Sequence, residues 1–227
     1  MAARIDAYFD CVSPFSYFAF VHLLRNKDVL RSHGVEIDFH PVFLGGINAG
    51  SGNKPPFTLP AKAKYMKYDV PRSAKYFGVE GFKTPKFFPI LTVVPQRCII
   101  YIKEHYPTER FEQTWLSFWQ YLFVKNVDTS KPEVLAEIFA EHKFSEQEIK
   151  DILAAASDPK YKQALTDNTQ KALDRGAYGA PYYWVRNSKG EEEPFFGSDR
   201  FPIMWKFLDL PVSEPTIKSA TSGDARL

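Results

Sequence analysis

Strand-like patterns occur only near the two ends of the chain, and a long stretch with helical patterns separates them. Apolar and polar residues alternate from Ile5 to Asp10 and again from 36 to 42, with a segment of helical spacing between them. Strand character returns at 182–186 and 194–196, on either side of a turn that ends in Gly190, and a last helix follows. The order βαβ, helices, ββα predicts an α/β fold in which an all-helical insertion divides one sheet domain.

We place the sheet domain at residues 1–48 and 176–227 and the helical insertion domain at residues 49–175. Residues 45–60 are rich in Gly, Asn, Ser and Pro, which predicts a loop leading into the insertion. At 227 residues, the chain is long enough for one compact unit with two lobes.

The insertion shows several helical patterns. Apolar residues between 111 and 123, most of them aromatic, recur at helical spacing and form one face, which we interpret as core or, in part, as the lining of a pocket for an apolar co-substrate. Residues 132–141 and 158–175 also predict helices, and Ser145 with Glu148 forms a capping-box pattern at the start of another.

Composition argues against several kinds of partner. The 29 basic and 27 acidic residues leave a net charge of +2 without a basic stripe, so we expect no nucleic-acid partner. No apolar run approaches about 18 residues, so we expect no membrane insertion. Cys11 and Cys98 are far apart and the five histidines lack ligand spacing, so we expect neither a disulfide framework nor a metal site.

Both ends of the sequence bear on where the protein acts. Strand-like sequence begins by Ile5, so we expect no signal peptide and an intracellular rather than secreted protein. The ending Ala225-Arg226-Leu227 has the small-basic-leucine pattern of a peroxisomal address, although three residues are equally compatible with an incidental match. The expected location is the peroxisome, or otherwise the cytoplasm or mitochondrion.

The segment Ser13-Pro14-Phe15-Ser16 stands between the first strand and the first helix. Serine is a favoured N-cap and proline is favoured at the first helical position, so an ordinary helix cap is one interpretation. A helix N-terminus also stabilises a thiolate, and a serine hydroxyl can donate to a ligand's sulfur while its oxygen accepts the cap hydrogen bond. Serine cannot form a disulfide, so these positions exclude thiol-disulfide exchange.

Two later segments have similar double interpretations. Pro181, directly before a strand, indicates a sheet edge, where a cis Ala180-Pro181 bond would let the backbone of Ala180 pair with a peptide-like ligand. Ser198 and Asp199 precede the last helix, where they either cap it or hold a carboxylate and an ammonium carried by one carbon. Residues 51–56 are a surface turn by composition alone.

Together, these segments resemble the kappa-class glutathione S-transferases, which belong to one superfamily with 2-hydroxychromene-2-carboxylate isomerases and DsbA-type oxidoreductases. The resemblance implies a thioredoxin-like fold with an inserted all-helical domain, a homodimer and a glutathione site between the lobes. The matching segments are Asp10-Cys11-Val12-Ser13-Pro14-Phe15-Ser16, Ser51-Gly52-Asn53-Lys54-Pro55-Pro56, Leu59-Pro60 with Lys62 and Tyr65-Met66, Gly176-Ala177-Tyr178-Gly179-Ala180-Pro181, Phe196-Gly197-Ser198-Asp199-Arg200 and Ala225-Arg226-Leu227.

The resemblance also implies roles for individual residues. Ser13 would be the catalytic residue and would face the glutathione sulfur. Ala180 would pair with the cysteinyl backbone beside a cis Pro181. The other glutathione-binding residues it implies are Pro14, Phe15, Asn53, Lys62, Ser198 and Asp199.

We therefore expect a glutathione transferase that conjugates the glutathione thiolate to small hydrophobic electrophiles, with glutathione as co-substrate and no metal. Two alternatives stay open. One is a glutathione-dependent isomerase of the 2-hydroxychromene-2-carboxylate type, in which the thiolate adds and leaves again. The other is a chaperone-like or lipid-handling partner without catalysis. Residues 83–121 match the family less well, so the co-substrate stays open.

Overall fold

A computed structural model describes residues 2–213 of the chain. The expected location signal, Ala225-Arg226-Leu227, lies outside these residues. The strands are β1 (Ala3–Phe9), β2 (Val35–Pro41), β3 (Tyr182–Arg186) and β4 (Glu192–Phe196). The helices are α1 (Pro14–Ser32), α2 (Leu44–Ser51), α3 (Pro60–Tyr76), α4 (Val93–His105), α5 (Thr108–Gln120), α6 (Pro132–Glu141), α7 (Glu146–Ala155), α8 (Pro159–Asp174) and α9 (Phe201–Phe207).

The four strands form one mixed sheet in the order β2-β1-β3-β4. β1 and β2 are parallel, as the helical crossover between them requires, while β3 is antiparallel to β1 and to β4. Gly190, in the turn between β3 and β4, has a φ of +88°, which glycine adopts at little cost. The predicted order of strands and helices, and the α/β fold with helices inserted between β2 and β3, are confirmed.

The predicted loop at 45–60 was wrong in part, because residues 44–51 form α2 and Pro56–Thr58 form a short 3₁₀ helix. Two of its glycines, Gly46 and Gly50, allow close packing of α2 against α8. A Cβ on Gly50 would lie 2.5 Å from the side chain of Leu173, and one on Gly46 would lie 3.1 Å from Thr169. The predicted domain boundary at 48/49 falls inside α2, and the division into two domains stays a prediction.

The aromatic face of α5 is core, as predicted. Trp115 and Trp119 are fully buried, and their rings contact Phe20 of α1 at centroid distances of 5.3 and 5.0 Å. Phe20 in turn contacts Phe39 of β2 at 4.7 Å. The inserted helices and the sheet therefore share one continuous aromatic core, in which burial of each ring provides several kcal/mol of stabilisation by the area rule.

No helix within residues 2–213 has both the length and the apolar composition needed to cross a bilayer.

Candidate functional site

Ser13 is the N-cap of α1, as predicted, and its side chain has two hydrogen-bond partners. Its Oγ accepts the backbone N–H of Ser16 at 3.1 Å, and its hydroxyl donates to the carbonyl oxygen of Ala180 at 3.1 Å. Ser13 is only 4% exposed. Since a hydroxyl has one hydrogen, a ligand sulfur at this turn receives it only if the Ser13 hydroxyl turns away from Ala180.

The first turn of α1 favours an anion. Pro14 has no backbone N–H, and the N–H of Ser16 donates to Ser13. In this first turn, the backbone N–H of Phe15 is therefore the donor that a ligand can use. The positive end of the helix dipole points to the same place, and no acidic residue lies in the first turn to cancel it. The half-buried Phe15 ring packs edge-on against Phe18 with centroids 6.0 Å apart.

Asp10 holds the turn that presents Ser13. Its buried carboxylate accepts the backbone N–H groups of Val12 at 3.0 Å and Leu44 at 2.7 Å, and the hydroxyl of Thr92 at 2.9 Å. Its carbonyl oxygen accepts the N–H of Ser13 at 3.0 Å. Burial raises the pKa of Asp10 to about 6, and these hydrogen bonds to its carboxylate act in the opposite direction.

Two inserted helices bind the backbone of the Ser13 turn and of the ends of β1 and β2. Trp119 on α5 donates its indole N–H to the carbonyl of Ser13 at 3.1 Å. Gln96 on α4 donates to the carbonyls of Phe9 and Val42 at 2.9 and 2.7 Å, and its own oxygen accepts the indole N–H of Trp115 at 3.1 Å. Sequence reasoning did not predict these roles of Trp119, Gln96 and Trp115. The two tryptophans belong to the apolar face of α5, and only folding brings their indole N–H groups to their hydrogen-bond acceptors.

The segment 178–181 lies opposite the Ser13 turn. The Ala180-Pro181 peptide bond is cis, and Ala180 is 9% exposed. The expected sheet edge was wrong, because β3 pairs with both β1 and β4, and Pro181 stands directly before the first paired residue of this inner strand. Asn53 donates its side-chain N–H to the carbonyl of Tyr178 at 2.5 Å, so the segment after α2 reaches this strand start. The structure thereby brings together Ser13, Asn53, Ala180 and Pro181, which are separated by up to 168 positions in the sequence.

Ser198 and Asp199 follow β4. Ser198 is buried, and the exposed carboxylate of Asp199 pairs with Arg200 at 2.7 Å. Gly197, with a φ of +98°, gives Asp199 room, because a Cβ there would lie 2.8 Å from the Asp199 carboxylate oxygen. The interpretation of this segment as a helix cap was wrong, since Arg200 occupies the N-cap of α9 and no side chain caps that helix.

Lys62 lies on α3, a different element from the other predicted site residues. It is exposed in the first turn of α3, and within residues 2–213 it forms neither a hydrogen bond nor an ion pair with a predicted site residue.

Both cysteines are buried and free. Burial raises the pKa of Cys98 to about 12 and raises the pKa of Cys11 well above its ordinary value. A raised pKa removes the thiolate that reactive cysteines need, so neither residue is suited to nucleophilic or redox chemistry.

The carboxylates of Asp6 and Asp38 and the ring of His40 lie close enough together to suggest cation ligands. However, basic side chains already bind these carboxylates. Arg175 contacts Asp6 at 2.7 Å, and Lys103 contacts Asp38 at 2.5 Å. The group is therefore an internal ion-pair network, in which the hydrogen-bonded cations satisfy the buried charge.

An open cleft of about 530 Å³ lies beside the site, between the ends of α2 and α8 and the segment 176–178. Ser51 and Tyr178, on two segments that sequence reasoning singled out, belong to its walls, but Ser13 does not.

Comparison with known proteins agrees with this geometry. The model of the DSBA-like thioredoxin domain family matches residues 4–209. A glutathione S-transferase kappa 1 of Caenorhabditis elegans is 32% identical over 93% of both chains. A 2-hydroxychromene-2-carboxylate isomerase of Sphingobium xenophagum is 26% identical over 92% of this chain and 99% of its own length. Among solved structures, a 2-hydroxychromene-2-carboxylate isomerase superimposes with a TM-score of 0.72 at 18% identity, covering 91% of this chain and 94% of that one.

Proposed function

Because this chain belongs to the DSBA-like thioredoxin domain family, on the branch of the kappa-class glutathione S-transferases, we propose that it binds glutathione at the Ser13 turn and conjugates its thiolate to small hydrophobic electrophiles. The proposal rests on the position of Ser13. Its hydroxyl lies at the start of α1 and donates to the carbonyl of Ala180, which supports a site for a thiolate next to a peptide backbone.

The chemistry required of the protein is modest. Lowering the pKa of a thiol by one unit requires about 1.4 kcal/mol, which a hydroxyl hydrogen bond and a helix N-terminus supply together. The glutathione thiol releases its proton to water, its sulfur forms a bond to an electrophilic carbon, and the displaced group leaves with the bonding electron pair. Ser13 and the Phe15 amide hold the negative charge on sulfur before the attack.

Peptide docking and thiolate stabilisation are coupled in this proposal. In the structure, the carbonyl of Ala180 accepts the Ser13 hydroxyl hydrogen. The cysteinyl N–H of glutathione offers that carbonyl a second donor, since Ala180 lies just before the first paired residue of β3. The second hydrogen bond weakens the first, and the Ser13 hydroxyl then turns to donate to the sulfur, while its oxygen keeps the cap hydrogen bond from Ser16.

The remaining predicted residues form the rest of the proposed glutathione site. Asp199 has an exposed carboxylate that suits the γ-glutamyl ammonium. The same carboxylate forms an ion pair with Arg200. Ser198 lies buried next to it. Asn53 contacts the segment before Ala180 directly through the carbonyl of Tyr178. Lys62 reaches the ligand only if its side chain extends from α3 toward the Ser13 turn.

A glutathione-dependent isomerase is the second candidate, and the relative from Sphingobium xenophagum supports it. In that reaction the thiolate adds to the substrate and the same carbon–sulfur bond breaks again, so glutathione is regenerated. Both reactions use the same half-site, which stabilises the thiolate. Only the fate of the adduct distinguishes them.

Calorimetry tests the shared part of the proposal, and product analysis tests the reaction. We expect the full-length protein to bind glutathione with saturation at millimolar concentration, and absence of heat there would contradict both functions and favour the non-catalytic alternative. With an aryl halide and a 2-hydroxychromene-2-carboxylate as substrates, accumulation of a thioether identifies the transferase. Formation of an isomer with unchanged glutathione identifies the isomerase.

We also propose that the protein is a homodimer. Leu59, Tyr65, Tyr68 and Tyr76, on and beside α3, are each more than half exposed, which is a large amount of aromatic surface for one helix. Light scattering on the purified protein should give twice the mass of 26.1 kDa, and replacement of both Tyr65 and Tyr68 by Lys should give monomers.

The peroxisomal location stays a proposal based on Ala225-Arg226-Leu227. Imaging of a protein tagged at the N-terminus, with and without these three residues, tests it. A diffuse signal from both versions would contradict it.

A further inference from the structure

A second cleft, of about 210 Å³, lies between the end of α8 and the strands β1, β3 and β4, and basic side chains dominate its walls. Four cationic and two carboxylate side chains leave an excess of two positive charges, and an indole completes the lining. The lining residues are Arg4, Asp6, Lys171, Arg175, Trp184, Arg186 and Glu192.

The sheet register places like charges side by side in this cleft. Arg4 of β1 pairs directly with Arg186 of β3, and Asp6 pairs with Trp184 in the next cross-strand position on the same face. Like charges directly opposite each other in an antiparallel pair repel. An anion between the two guanidinium groups would relieve that repulsion.

Two of the four cations already have acidic partners. Arg4 contacts Asp6 at 2.7 Å and Asp38 at 2.6 Å, and Arg175 contacts Asp6 at 2.7 Å. Within residues 2–213, neither Arg186 nor Lys171 takes part in an ion pair.

The Nε–H of Arg186 is buried without an acceptor, and its Nη2 has only a long contact of 3.4 Å to the carbonyl of Ala2. Glu192, its cross-strand neighbour, accepts the indole N–H of Trp184 at 3.0 Å instead. Arginine has five N–H donors, and within residues 2–213 the exposed end of the Arg186 guanidinium has only the one long contact to Ala2, so its Nη atoms have donors left for an acceptor from outside the chain.

We propose that this cleft binds a compact oxyanion, namely free phosphate or the phosphoryl group of a small metabolite, between Arg186, Arg4 and Lys171. Arginine presents planar donors that match phosphate oxygens in pairs, and lysine adds a point charge at the rim. A volume of about 210 Å³ accommodates a phosphoryl group with a few further atoms. The site is distinct from the glutathione site, since none of its lining residues is a predicted glutathione ligand.

Titration calorimetry on the full-length protein tests the site with three probes: inorganic phosphate, phenyl phosphate and neutral phenol. We expect both phosphates to bind with one site per chain and phenol not to bind. Tighter binding of phenyl phosphate than of inorganic phosphate identifies a phosphomonoester as the better ligand, and the reverse order identifies free phosphate.

Variants localise the binding. Arg186→Gln and Lys171→Gln should each weaken phosphate binding about tenfold or more, because each removes a charged hydrogen-bond donor. Lys162→Gln, on an exposed part of the same helix, is the matched control and should bind as the wild type does. Lys171 is exposed, so its replacement tests the site even if Arg186→Gln fails to fold.

Saturating glutathione should leave phosphate binding unchanged, and Arg186→Gln should leave glutathione binding unchanged. Absence of saturable phosphate binding, or equal affinity of Lys171→Gln and Lys162→Gln for phosphate, would overturn the proposed anion site. Neither result would contradict the proposed glutathione site. Loss of phosphate binding on addition of glutathione would also overturn it, because it would place both ligands in one site.

Discussion

The hydroxyl of Ser13 donates to the carbonyl oxygen of Ala180 across 3.1 Å, although the two residues are 167 positions apart. This bond joins the N-terminus of α1 to the start of β3, which are the two elements that any ligand at this turn contacts. It also decides how the serine acts. The hydroxyl has a single hydrogen, so Ser13 can donate to a ligand only by giving up the Ala180 carbonyl.

Replacement of Ser13 by Ala removes the hydroxyl hydrogen but leaves the helix dipole. We expect the pKa of the thiol of bound glutathione to rise by about one unit, equivalent to about 1.4 kcal/mol. The rate of conjugation at neutral pH should fall about tenfold or more with it. The ultraviolet absorbance of the thiolate, recorded against pH for the glutathione complex, measures the shift.

Ser16→Ala is the matched control for this experiment. The Ser16 hydroxyl is buried in the same helical turn and has no hydrogen-bond partner within the described residues. Glutathione bound to Ser16→Ala should therefore show the same thiolate titration as glutathione bound to the wild type. An identical thiolate titration in Ser13→Ala and Ser16→Ala would remove Ser13 from the mechanism.

Trp119→Phe removes the indole N–H that binds the carbonyl of Ser13 and keeps most of the buried ring. We expect a loss of about 1–2 kcal/mol in the free energy of unfolding and weaker glutathione binding, because the turn is less firmly held. Urea denaturation and calorimetry measure the two effects. Trp205→Phe, on the partly exposed face of α9, is the control, and an equal loss there would show that ring size alone matters.

Asp10 should make stability depend on pH in the direction opposite to that of a typical acidic residue. Burial raises its pKa in the folded chain to about 6, against an ordinary value of 3.8 for an aspartate. The folded state therefore holds this proton more tightly. The contribution is fully present below pH 3.8 and is lost as pH rises through about 6, with a magnitude of the order of 3 kcal/mol.

Asp10→Asn isolates this effect, because asparagine does not titrate. The stability of the wild type relative to the variant should decrease between about pH 4 and 6 and stay level above about pH 7. Chemical denaturation at each pH measures it. Asp28→Asn, which alters an exposed carboxylate on α1, should follow the wild-type profile, and a difference that increases with pH would contradict the prediction for Asp10.

The two cysteines should resist modification in the folded protein. Cys11 and Cys98 are fully buried, and burial raises the pKa of each thiol. Iodoacetamide at neutral pH should label neither residue within hours under native conditions and both after unfolding in guanidinium. Mass spectrometry counts the labels, and rapid native labelling of Cys11 would show that the turn beside Ser13 opens.

Local physics made much of the fold predictable from the sequence. The Ser13-Pro14 pair marks a helix start in any context, because the cap hydrogen bond and the fixed φ of proline involve only adjacent residues. The capping box of Ser145 and Glu148 is present for the same reason. By contrast, the glycines of 45–52 indicated a loop, since sequence alone does not show that Gly46 and Gly50 let α2 approach α8.

What the sequence by itself determined are the features that neighbouring residues specify: the order of strands and helices, the Ser13 cap and the absence of a redox cysteine pair at that turn. The tertiary structure alone decided that Ala180 accepts the Ser13 hydrogen, that Trp119 binds the Ser13 carbonyl, that Gln96 binds the ends of β1 and β2, and that Arg4 pairs with Arg186. These contacts join residues far apart in the chain. Their partners depend on sheet register and helix packing, which the whole core determines together and which no local pattern encodes.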